Sequence, residues 1–339
     1  MRVLRWLVAL AVLAVIPVPA FAGGPLSLVA KYPMPATIKA TRFDHFGVDV
    51  AGNRLFLAAE AAHAVLVFDL HSGKWLRNIE GIQIPHAVFY RGDLDRLYVT
   101  DGGSGDLKII DGKSYKLLKT VPLKVDADSV GYDPATKYLY IDNGGGDAHD
   151  SFSMFSIVDT TSGEKLGDVK IDGETLEAMA LAKSSPKIYI NNRAKNRVDV
   201  FDREKRAVIA SWPITRGKTN VAMALDEASH RLFVGCRSGT LVVLDTDTGK
   251  EIEALPIEKN VDEVIFDPSS KRIYATCGGG NGAVDVFEEK DGDHYQALAQ
   301  VPSGPLGKNA VLVSSIQRYF VAVPPQGDAP GQVLAYQVE

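Results

Sequence analysis

Seven positions of this 339-residue chain fall at one equivalent point of a repeating pattern: Asp44, His86, Asp128, Glu177, Val221, Asp262 and Lys308. Four are carboxylates and one is an imidazole, and each stands just ahead of an apolar stretch. Converging carboxylate oxygens could hold a hard cation such as Ca²⁺. With His86, joined by His45 or His63, a borderline metal such as Zn²⁺ also fits the donor set. The plainer alternative is that Asp, Glu and His begin strands here, accept backbone N–H bonds in the preceding turn, or stand solvated in a wet channel. Clustered carboxylates perturb one another whether or not they bind anything, so the cluster alone does not choose.

What makes these positions equivalent is a repeat. A short polar turn followed by an apolar strand start recurs at Arg54 (RLFL), Arg96 (RLYV), Tyr138 (YLYI), Lys187 (KIYI), Arg231 (RLFV), Arg272 (RIYA) and Arg318 (RYFV), spaced 42, 42, 49, 44, 41 and 46 residues apart. A period in the low forties matches a four-stranded propeller blade. Every unit carries short runs of Val, Ile, Tyr, Phe and Leu broken by Gly, Asp and Pro, rather than the long 3.6-residue pattern of a helical solenoid.

The fifth unit parses in full. VAMALD (221–226) is an innermost strand A, RLFVGC strand B, TLVVLD strand C and EIEALPI strand D. The last unit ends after its strand C, and LSLVAKYPMP (26–35) resembles the strand D stretch KLLKTVPLKV (116–125). An N-terminal strand that completes the C-terminal blade removes two exposed sheet edges. The expectation is an all-β, seven-bladed propeller over residues 23–339.

The start of the chain reads differently. Arg2 and Arg5 precede an apolar run from Trp6 to Val18, and Ala20-Phe21-Ala22 supplies a cleavage site, so residues 1–22 read as a signal peptide. The run is short of the roughly 20 residues that span a bilayer, and no later segment could, so no membrane insertion is expected after cleavage. A formal net charge of −5 gives no general attraction to phosphate backbones, which disfavours nucleic acid as a partner. Cys236 and Cys277 align at the top of strand B in neighbouring units, farther apart than the roughly 4.4–6.8 Å between Cα atoms that a disulfide requires. Two free, partly buried thiols are expected.

The strings Arg-Leu-Tyr-Val-Thr (96–100), Lys-Tyr-Leu-Tyr-Ile-Asp-Asn (137–143) and Asp-Thr-Asp-Thr-Gly-Lys (245–250) resemble the YVTN family of β-propeller repeats. From about residue 25 to the end the chain looks like an exported, YncE-like member. WD40 repeats fit less well, because no unit ends strand C with Trp-Asp. The resemblance implies a seven-bladed propeller working in the periplasm or outside the cell; it implies little chemistry.

In a propeller, the D–A connections and B–C loops share one face. The third unit carries the longest B–C loop, NGGGDAHDSFS (143–153), with Asp147, His149 and Asp150; Glu60, His63 and Asp101 stand in comparable loops of units one and two. Acidic and His residues therefore gather over blades one to three, and a site should lean that way. Asp245-x-Asp247-x-Gly249 reads as a hairpin turn, not a calcium loop. The glycine triplets lack a following Gly-Lys-Ser/Thr, and no G-x-S-x-G or C-x-x-C-H occurs. The reading is a monomeric, non-catalytic module binding a small ligand, a metal or a periplasmic protein, with Asp44, His86, Asp128, Glu177, Asp262, Asp101 and His149 as candidate contacts. The first five are the candidate ligands for Ca²⁺ or Zn²⁺. A metal-dependent hydrolase of lactonase type using those five is the alternative, and an accessory protein to a periplasmic redox system is a further one.

Overall fold

The computed structural model describes residues 24–39 and 42–339, so the signal peptide expected over residues 1–22 lies outside the described residues. The described chain forms seven four-stranded antiparallel sheets. Blade one comprises Phe46–Asp49, Arg54–Ala59, Ala64–Asp69 and Trp75–Ile79. Blade five comprises Asn220–Asp226, Arg231–Cys236, Thr240–Asp245 and Glu251–Pro256, which agrees with the sequence parse to within one residue. Blade seven is built from Asn309–Val313, Arg318–Val323 and Gln332–Val338, and Leu26–Pro33 supplies its outermost strand. The closing pair is antiparallel, from Leu26 opposite Val338 to Pro33 opposite Gln332.

Strand B is apolar on both faces because each blade is packed between two others. Successive side chains of a strand point to opposite faces. In blade one, Phe56 and Ala58 pack on blade two through Val88, Leu97 and Val99. Their neighbours Leu55 and Leu57 pack the other way, on Phe320, Ala322 and Ala335 of blade seven. Strand D carries little of this load, and Leu117 and Leu118 on the rim of blade two are exposed.

The C–D turns bear out the hairpin reading. Asp245 Oδ1 accepts from the backbone N–H groups of Asp247 (3.1 Å) and Thr248 (2.8 Å) and from the Thr248 hydroxyl (2.7 Å). Gly249 follows at a φ of 73°, a left-handed conformation that glycine adopts without a Cβ penalty. Asp69 with Ser72, and Asp111 with Ser114, repeat the arrangement.

Cys236 and Cys277 are both free. Each is wholly buried rather than partly so. Burial pushes the Cys236 thiol up to about 12 and raises that of Cys277 as well. Thiolate is the reactive form. In a thiol-reagent assay at pH 8 the native protein should therefore show no rapidly reacting cysteine, and the unfolded chain should show both. Prompt reaction of either in the native state would contradict this packing.

Tyr32, on the closing strand, donates to the Leu70 carbonyl at 2.9 Å and packs against Phe320 with ring centroids 5.8 Å apart. Tyr32→Ala should cost roughly 3–5 kcal/mol, the range for truncating a buried aromatic side chain. Urea unfolding measures it, and a loss under about 1 kcal/mol would show that closure does not depend on this anchor.

Candidate functional site

The innermost strands do not begin as regular ladders. Register shifts fall between Pro85 and Val88, Leu176 and Met179, Asn220 and Ala222, and Val261 and Glu263. Inside those four irregularities lie His86, Glu177, Val221 and Asp262. A bulge kinks the strand and re-aims a side chain that regular pleating would send elsewhere. In blades one and three, Asp44 and Asp128 stand just ahead of Phe46–Asp49 and Val130–Asp133. Their N–H groups bond the carbonyls of Ala58 (2.9 Å) and Asp142 (3.1 Å).

All seven equivalent positions line one open cavity of 260 Å³ at the channel mouth. The wall has two electrostatic halves. Over blades one to three, His86 Nδ1 lies 2.9 Å from Asp44 Oδ2 and 3.5 Å from Asp128 Oδ1. His45 Nε2 is 3.5 Å from Asp44 Oδ1. Buried Glu60 pairs with Arg42 at 2.7 Å. Donor atoms of Asp44, Glu60 and His86 all lie within 4.8 Å of one another, and so do those of Asp44, His45 and Asp128.

On the other half the acids are already neutralised. Asp262 is held by Arg237 and Lys308, and Glu177 accepts from Arg193 at 2.9 Å. Asn309 Nδ2 joins the halves, 3.3 Å from Asp44 Oδ1 and 3.2 Å from Asp262 Oδ2. Of the five candidate metal ligands, the structure gathers Asp44, His86 and Asp128 and sets Glu177 and Asp262 against cations.

The remaining candidates fall elsewhere. Asp101 is fully buried and caps a loop, accepting from the N–H groups of Gln83 (2.8 Å) and Ile84 (2.9 Å). Exposed His149 ends a short 3₁₀ turn, away from the cavity wall, whereas Asp147 of the same loop does line it. His63 bonds the Gln83 carbonyl, and Asp150 pairs with Lys124. Sequence reasoning missed Arg193, Arg237, Arg42 and Asp126 in the wall. Arg193 and Arg237 each directly follow strand B of their blades, Lys187–Asn192 and Arg231–Cys236, so aligning strand B ends would have paired them.

Proton affinities follow from this division. Burial alone would lower the His86 pKa, but Asp128 and Asp44 outweigh it and lift it to about 10. Burial raises Asp128 to about 8, with Asp44 and Glu177 adding to it against His86. Asp142, buried behind Asp128 with its Oδ1 unpartnered among the described residues, is raised in the same way. Asp262 is also buried, yet Lys308 and Arg237 pull it down to about 2.

Fold and cavity together define a seven-bladed β-propeller whose channel mouth is open and charged. The particular protein it resembles is YncE. The Uncharacterized protein YncE of Salmonella typhi is 31% identical over 99 residues, 29% of this chain and 28% of that protein. YncE of Salmonella typhimurium (strain LT2) is 30% identical over 99 residues, with the same coverage. The chain thus aligns with under a third of the length of these curated relatives. No family model matches. Among solved structures, a chain of the Mitotic Checkpoint Complex superposes with a TM-score of 0.76 at 16% identity, covering 100% of this chain and 99% of that one. A chain of Kuenenia stuttgartiensis Hydrazine Synthase gives 0.70 at 15%, covering 84% and 93%. At such identities the likeness is one of fold alone.

The raised groups set a pH dependence for the cation-free protein. His86 rises from 6.5 when unfolded to about 10, so its stabilisation is complete below about pH 6.5 and is lost as pH climbs towards 10. Asp128 rises from 3.8 to about 8, and its protonated form likewise favours the fold at lower pH. The two act in one direction. In EDTA, the melting temperature should fall between pH 6.5 and 9, and Asp128→Asn should flatten that fall. A melting temperature that rises across the window would reverse the assignment.

Proposed function

We propose that this chain is an exported, non-catalytic binding propeller, working in the periplasm or outside the cell, whose channel mouth takes a small cationic ligand. One observation carries the reading: Asp44, Glu60, Asp126, Asp128 and Asp147 line one side of the cavity against His86, His45 and Arg42, while the cavity's Arg237, Lys308 and Arg193 pair with Asp262 and Glu177. A cation supplied from outside would relieve that excess of buried acid. The residues fit a divalent metal, which Asp44, Glu60 and His86 would hold with Asp128 alongside. Such an ion would polarise a ligand oxygen. Binding would release a proton from His86, so affinity should rise with pH.

Calorimetric titration of tag-free, metal-stripped protein with Zn²⁺, Mn²⁺ and Ca²⁺ tests the reading. One equivalent of at least one ion should bind, more tightly at pH 8.5 than at pH 6, and Asp44→Asn should weaken it about tenfold or more, as loss of one ligand does. Absence of binding by any of these metals or by an organic ammonium would remove the proposal. The hydrolase alternative would use the same donors, and turnover of lactones or aryl esters by the metal-loaded protein would favour it.

A further inference from the structure

Directly beneath the charged ring the strands turn apolar. Two or three residues along from the ring positions come Phe46, Val88, Val130, Met179, Met223 and Ile265, which line a second cavity of 310 Å³. All seven blades contribute to its wall, so it is the central channel itself. His45, Ser129 and Ala178 belong to the walls of both cavities, which places the two chambers end to end. At the neck between them, His45 Nδ1 and Glu263 Oε2 stand 3.2 Å apart.

Resting on the cation reading above, we propose that the two chambers take one molecule: a primary amine with a single alkyl or arylalkyl group, its ammonium among the ring carboxylates and its apolar body in the channel. The volume of the lower chamber alone falls within the roughly 300–1,000 Å³ of small-molecule sites, which are mostly apolar with a few placed polar groups. The head group is specified by charge. Among the described residues, Asp128 Oδ1 is buried without a hydrogen bond, and an ammonium N–H can supply one, in a wall that carries more carboxyl groups than basic side chains. Of the cavity's cations, Arg237 and Lys308 already pair with Asp262, and Arg193 with Glu177.

The body is specified by the wall. Phe46 and Phe89 offer aromatic faces, and Met179 and Met223 offer thioethers that adjust to the shape beside them. A bare metal ion would use the upper chamber and leave the lower one without a role. An amine with an apolar group uses both.

Calorimetry on the metal-free protein separates the possibilities with four probes: hexylammonium, methylammonium, 1-hexanol and Zn²⁺. Hexylammonium should bind about a hundredfold tighter than methylammonium, since each methylene leaving water adds to affinity, and far tighter than 1-hexanol, which lacks the charge. Asp128→Asn should weaken hexylammonium about tenfold. Met223→Trp, filling the lower chamber, should weaken hexylammonium about tenfold and leave Zn²⁺ unchanged; Ala310→Leu fills it from another blade should that variant not fold. Equal affinity for hexylammonium and methylammonium, or for hexylammonium and hexanol, overturns the two-chamber ligand. Zn²⁺ binding without hexylammonium binding overturns it too and leaves the cation reading standing. Binding of none of the ammonium ions and none of Zn²⁺, Mn²⁺ and Ca²⁺ removes both.

Discussion

Everything at the channel mouth depends on the pairing of Leu26–Pro33 with Gln332–Val338. That ladder joins the two ends of the described chain within one blade and so turns a row of seven sheets into a ring. Without closure, blade one would lose Tyr32, Phe320 and Ala335 from one of its faces, and blade seven would expose an unpaired edge. The consequence reaches inward. Asp44 of blade one meets His86 of blade two across a conventional blade contact, but it meets Asn309 of blade seven only because the ring is shut. A ring with one position per blade, polar in all but blade five, therefore exists only as a property of the closed circle.

Burying such a ring is costly, and the fold meets the cost unevenly. Removing a charge from water is offset only when a partner sits close by with good geometry. Blades four to seven meet that demand internally: Arg193 with Glu177, and Arg237 and Lys308 with Asp262. Blades one to three do not. There, Arg42 reaches Glu60 and His45 reaches Asp44, but His86 is shared between Asp44 and Asp128, and among the described residues Asp142 stands behind them with an oxygen unpaired. Both halves are equally products of the bulges and turns that open strand A, so the difference lies in which side chains were placed there. An imbalance confined to one side of a ring is what a bound cation would correct.

The architecture was almost wholly legible in the sequence, because a blade is a local unit and its marks recur. The Asp-to-Gly hairpin turns and the Arg-Leu-Tyr type strand starts record backbone geometry that each blade must repeat. The ring positions were legible for the opposite reason: at one point per repeat the residue departs from the apolar rule. What escaped was the partnership between them. Arg193 and Arg237 reach the cavity from the ends of strand B, on long side chains whose direction no period encodes. Asp101 read like Asp44, an acid beside a loop, yet one caps backbone N–H groups and the other faces His86. An aspartate's role is set by what lies opposite it, and that is tertiary information.

The change from charge to hydrocarbon along strand A has the same origin as the ring. Bulges and turns aim the ring residues at the channel axis, and the strand that follows sends a further side chain the same way: Asp44 leads to Phe46, His86 to Val88, Asp128 to Val130 and Glu177 to Met179. The deeper layer could have been polar, as water-filled channels often are; here the Val, Phe and Met side chains continue the apolar character of the strands around them. A wall that is acidic for one layer and apolar for the next sorts what can enter by two independent criteria, charge at the head and hydrophobicity behind it. Neither criterion is visible in any single blade. It takes seven to make the opening and seven to line the passage beneath it.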